Sequence, residues 1–188
     1  MGLNILLGNE VMTELNLTDE LEYVEYEPVG IAEAVQKALE NRHEVKALNY
    51  AVEIKDISKQ LAKKTDEGIT YDYRASEVAY KEAAANLESG LKNIEMGVRS
   101  DYMNLLQKKK EVESGRKAVE LAEQGLTIAQ ATFDAGMAVI TDVEEAQKSV
   151  MQAKLGLSKA VLDYTLAIEK FEDDMGVGRP ASSGSYGG

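Results

Sequence analysis

The side chains able to do acid–base or metal chemistry are few in kind and scattered along the chain. Cysteine is absent, which removes disulfides, iron–sulfur clusters and thiolate metal sites. The one histidine, His43, sits between Arg42 and Glu44 and is expected to be solvated. No nucleophile–base pair, phosphate-binding glycine loop or metal-spaced cluster occurs. Catalytic, cofactor and metal roles therefore fall to no residue, and the chain is not expected to be an enzyme. What remains is charge at helical spacing. Asp142 and Glu145 lie three apart and share a helix face. Thr141 and Asp142 precede a fresh apolar run and could cap a helix, with Glu144 and Glu145 favourable in its first turn. Just before them Gly136 marks a reversal, where a positive φ costs a glycine little.

The elements that carry these residues are long helices. Pro28 and Pro180 are the only prolines and tryptophan is absent, while Ala, Leu, Val, Glu and Lys dominate. From Ala84 to Phe133, residues including Leu91, Val98, Leu105, Val112 and Val119 recur in alternating steps of three and four. Only Asp101, Lys108 and Gly115 in that seam are not apolar. The spacing predicts one helix over about 76–134. Asp101 and Lys108 are expected to set register. Gly90, Gly97, Gly115 and Gly125 are expected to permit curvature or close helix approach.

The same stepping resumes at Val139 and continues through Val143, Val150, Leu157 and Tyr164 to Phe171. Two seams joined by a short glycine turn must fold back to hide their apolar stripes. A further helix over about 29–64 carries Ile31, Val35, Ala38, Val45, Leu48 and Val52, continued less regularly by Ile57 and Leu61. The fold class expected is all-α: elongated antiparallel coiled-coil hairpins, a long central helix flanked by shorter ones at 29–64 and 138–175. The first lies on its upper part and the last on its lower part. Residues 1–28 read as an extended connector, 29–175 as the helical domain, and 176–188 as a flexible Gly/Ser tail. Thr65 to Ala75 reads as a turn, with Ser76 starting the long helix.

Twenty-one Lys and Arg against 33 Asp and Glu give a formal net charge of -12. That argues against nucleic acid and against anionic lipid. No apolar run approaches the roughly 20 residues of a spanning helix, and Met1–Gly8 lacks the basic region of a signal peptide.

The turn reads Phe133-Asp134-Ala135-Gly136-Met137-Ala138-Val139-Ile140-Thr141-Asp142-Val143, followed by Ala146-Gln147. It resembles the periplasmic tip of TolC-family outer-membrane efflux proteins. Ala38-Leu39-Glu40-Asn41-Arg42 resembles the family's repeat-opening Ala-Leu-x-x-Arg-Pro, with His43 in place of proline. Leu3 to Gly8, and Ile168 through Gly176, resemble segments that close its repeats. The resemblance is thus to the helical part of a second structural repeat, read as a fragment of a longer protein. It implies a non-enzymatic component of an export duct, in which hairpins from several copies pack into an α-barrel. By the same resemblance, Phe133, Gly136, Met137, Ala138 and Thr141 form a tip that docks a periplasmic adaptor protein coupled to an inner-membrane transporter. Asp142 and Glu145 would ring a pore constriction, while Ala138 stands where the family has a gating arginine. Self-association would be a trimer of a two-repeat parent, or a higher oligomer of single repeats, on the periplasmic side of the outer membrane.

One departure opens a second reading. The family inserts two long strands between its first two helices of a repeat, and a membrane strand needs about 9–11 residues. Thr65 to Ala75 is eleven residues in all. A barrel-less coiled-coil spacer or protein-binding module of the cell envelope, extracellular or at the cell surface, is the alternative.

Overall fold

The computed structural model of the chain describes residues 4, 5, 8, 10, 12–14, 22–65 and 71–176. Most of the Leu3–Gly8 segment, much of the connector, residues 66–70 of the link and residues 177–188 of the tail lie outside the described residues. Among the described residues, the helices that build the fold run in the order α1 (Ile31–Asn41), α2 (His43–Thr65), α3 (Tyr71–Asp134) and α4 (Ile140–Asp174). Among the described residues there is no strand, and no helix is long and apolar enough to cross a membrane. The architecture is all-α around one 64-residue helix, about 96 Å long at 1.5 Å per residue.

Two boundaries differ from the sequence reading. Helix α3 begins at Tyr71, so Ser76 is interior. Its hydroxyl bonds back to the Asp72 carbonyl at 2.8 Å instead of capping. The helix expected over 29–64 is two helices, interrupted at Arg42 with φ -65° and ψ 130°. This is the extended backbone that a residue before proline adopts, kept here although His43 follows. The break loses little hydrogen bonding, since Arg42 N–H donates to the Ala38 carbonyl at 3.1 Å.

Helix α3 is the spine. Helices α1 and α2 pack on its upper part, and α4 packs antiparallel along its lower part. The core lies at the waist where all meet. There Val98, Leu105 and Val112 of α3 close against Tyr164 and Phe171 of α4, Ala34 and Ala38 of α1, and Val45 of α2. The rings of Tyr102 and Phe171 stand 5.8 Å apart. Away from the waist each helix has one neighbour and burial is partial. Toward the turn Val143 alone is buried among the described residues. Ile57 and Leu61, expected on the buried stripe of the upper helix, point outward instead.

The three seam residues of α3 that are not apolar each meet a particular residue of α4. Lys170 Nζ lies 2.5 Å from Asp101 Oδ1, and Lys108 Nζ lies 3.7 Å from Asp163 Oδ2. A Cβ on Gly115 would stand 3.4 Å from the Leu157 Cα. A slip of one heptad would bury Asp101 without its cation and drive a side chain into that close approach. The polar residues expected to set register therefore have partners that can do so. Gly90 also allows close approach, to Leu48, whereas Gly97 and Gly125 face open space.

One broad face of the waist carries the end of the connector. Tyr23 stacks on Tyr164 with centroids 5.4 Å apart, and the Arg116 guanidinium lies over the Tyr23 ring at 4.2 Å. Tyr26 N–H donates to the Tyr164 hydroxyl at 3.3 Å. Glu25 reaches Lys109 at 3.7 Å.

Candidate functional site

The turn between α3 and α4 is built by its glycine. Gly136 has φ 74°, and its N–H donates to the Phe133 carbonyl at 2.8 Å while Met137 N–H reaches the Thr132 carbonyl at 2.9 Å. Those two bonds make a Schellman end, which satisfies carbonyls that α3 would otherwise leave open. Val139 is the N-cap of the next helix. Its N–H donates to Asp142 Oδ2 at 3.1 Å, the reciprocal half of a capping box. Thr141, expected as a possible cap, lies inside the first turn and caps nothing. Asp142 does the capping from three residues on.

This geometry gathers the sequence-predicted residues at one end of the molecule. Met137 is 77% exposed, and Phe133, Val139 and Ile140 also show apolar surface. Gly136 and Thr141 are exposed and Ala138 is half-buried. Asp142 and Glu145 are both exposed. Glu145 and Asp163 are eighteen residues apart, about five turns, and so share a face of α4. Asp163 meets Lys108, whereas the connector touches Lys109 and Arg116. Lys108 and Lys109 lie about 100° apart round α3. Glu145 therefore lies on the broad face away from the connector. His43 is exposed at the start of α2. Among the described residues no group of three His, Cys, Asp or Glu is placed to hold a metal.

A larger feature escaped the reading of the seams. Val78, Met96, Met103, Leu121 and Ile128 of α3 are all exposed. At 100° per residue they fall in one stripe roughly 150° round the helix from the seam. Met151, Leu155, Leu162 and Leu166 form a matching exposed stripe on α4, and Tyr50, Ile54 and Ile57 one on α2, each roughly opposite its own seam. Above and below the waist the molecule is thus a ribbon one helix thick and two helices wide, apolar along both long edges. The signal was present in the sequence. A second apolar stripe at the same period hides inside an Ala- and Val-rich helix, where one seam already accounts for the pattern.

An apolar edge on each side suits a helix that lies between two neighbours within a wall. No curated protein matches the chain. The sequence pattern of the family described as outer membrane efflux protein matches residues 69–173, more than half of the chain. That stretch holds α3, the turn and nearly all of α4, the parts that carry the tip and both edges of the lower ribbon. The chain belongs to the outer membrane efflux protein family, whose members are channel components of the cell envelope.

Proposed function

We propose that the chain is a wall element of an efflux duct. Copies stand side by side as a closed helical barrel, the α3 edge of one against the α2/α4 edge of the next. The observation that carries this is the pair of apolar edges, built from three exposed stripes that each lie opposite a seam. A solitary hairpin leaves both in water, where large apolar patches usually mark contact surfaces. A ring joining unlike edges closes without exposing either. About six single repeats would match the wall that the family builds from three double ones.

The broad face bearing the connector then lies outside and the face bearing Glu145 lines the duct. Glu145 and Asp142 from every copy concentrate negative charge near the end of the barrel and favour cations there. The tip residues Phe133, Gly136, Met137, Ala138 and Thr141 dock a periplasmic adaptor protein that couples the duct to an inner-membrane transporter. The chain itself catalyses nothing; energy comes from those partners. The exposed Met137 beside Val139 and Ile140 supports docking, since apolar side chains at a polar-rimmed end suit a protein partner.

The five residues 66–70 between α2 and α3 favour a second reading, a barrel-less envelope spacer, because they cannot hold two membrane-spanning strands. Native mass spectrometry separates the two. A closed ring, with a photo-crosslinker at Met137 capturing a periplasmic adaptor, is the outcome expected of a duct. A stable monomer or simple dimer at micromolar concentration would sink it. Asp142→Arg with Glu145→Arg should lower cation conductance of the assembled channel at least severalfold; unchanged conductance would remove the constriction role.

A further inference from the structure

The waist holds a group of charged side chains with no part in the tip or the edges. Asp101 is 6% exposed in an otherwise apolar stretch of seam. Its Oδ1 accepts a hydrogen bond from Lys170 Nζ at 2.5 Å. Asp174, one turn beyond Lys170 on the same helix, sets a second carboxyl beside this pair. From the break between α1 and α2, Arg42 places Nη1 3.6 Å from Asp174 Oδ1 and Nη2 3.1 Å from Glu44. Two carboxyls crowded at one junction cannot both ionise without cost, and a proton held on one lets it donate to the other. The surroundings leave little slack. A Cβ on Gly176 would stand 2.9 Å from the Asn41 Cβ, so α4 ends directly against the break.

We propose that Asp101 and Asp174 share one proton and form a pH-sensitive latch that ties the end of α4 to the break between α1 and α2. With the proton in place the pair carries a single negative charge between two cations, Lys170 from α4 and Arg42 from the break. When the proton leaves to water, the bond between the carboxyls is lost and two anions repel at contact. Asp101 keeps Lys170, Asp174 is left to Arg42, and the last turn of α4 loosens from the seam. Because α4 continues unbroken to the turn, loosening its upper end frees it to shift against α3 along its whole length.

The direction of the pH response follows from the environment of each group. Burial, the hydrogen bond with Asp101 and the charge of Asp101 push Asp174 up to about 6, against the pull of Arg42 and Lys170. Burial also raises Asp101, but its hydrogen bonds with Asp174 and Lys170 outweigh that and hold it below its ordinary value. Asp174 thus binds its proton more tightly in the closed junction than in an open one. Closure is favoured in acid and weakens as pH rises from about 4 through about 6. The contribution of Asp101 runs the other way and is lost only as pH falls below the ordinary carboxylate value.

Hydrogen exchange on the full chain, corrected for intrinsic rates, tests this at residues 38–46 and 168–176. Opening of both segments should rise about tenfold between pH 5 and pH 7. Asp174→Asn keeps a donor without the charge and should make the response flat. A flat wild-type response, or the same slope in Asp174→Asn, overturns the latch. Carbon-13 titration of the wild-type carboxyls decides the matter if that variant fails to fold. A midpoint for Asp174 near 6, falling toward 4 in Asp101→Asn, supports the shared proton; a wild-type midpoint near 4 refutes it.

Discussion

Gly136 shows how one residue fixes the most exposed part of the molecule. Its φ of 74° lies in the left-handed region, and a Cβ there would meet nothing within 4 Å. The cost of a side chain is therefore conformational, not steric. Gly136→Ala should lower unfolding free energy in urea by about 1–2 kcal/mol. Gly136→Asn should cost less, since asparagine visits that region more readily. Equal losses would mean that something besides φ governs the turn. Asp142 works at the same scale with a different logic. Its carboxylate is engaged with the Val139 N–H, so one residue both starts α4 and offers charge at the end of the ribbon.

At the scale of elements, the glycines of α3 separate two effects that look alike in sequence. Gly97 has no atom within 4 Å of where a Cβ would go, whereas Gly115 lies against Leu157. Gly97→Ala should stabilise the isolated chain by about 0.5–1 kcal/mol through helix propensity alone. Gly115→Leu should destabilise it by about 1–3 kcal/mol, because the added bulk must push α4 away from α3. Chemical denaturation of both variants checks the contrast; similar effects would show that the contact with Leu157 is unimportant. The seams of α3 and α4 were legible because their apolar period runs for many turns. The break at Arg42 was not, because no proline or glycine marks it and one of its partners, Asp174, comes from the far end of α4. Ser76 looked like a cap and became an interior residue, since the serine signal is local and α3 had five more residues to use. Ile57 and Leu61 were assigned inward because periodicity finds a stripe without saying which of two stripes faces the core.

For the whole molecule, the edges make the sharpest demand. The family and the helical hairpin were readable from the turn and the seams, but the seams show only how the chain packs on itself. The apolar surface left over for a contact between copies is that of Leu121 and Ile128 on one edge and Leu155 and Leu162 on the other, all exposed. If unlike edges join, Leu121→Glu with Ile128→Glu blocks one edge of every copy, and Leu155→Glu with Leu162→Glu blocks the other. Each double variant alone should be a monomer with unchanged helix content, since none of the four residues is buried. Mixed one to one, the two variants should form a heterodimer through the pair of edges still intact, and nothing larger. Like-with-like joining predicts the reverse, with each variant dimerising alone through its untouched edge. Native mass spectrometry of the two variants, separate and mixed, distinguishes these outcomes. Only the heterodimer is compatible with a ring in which every helix has an antiparallel neighbour on both sides.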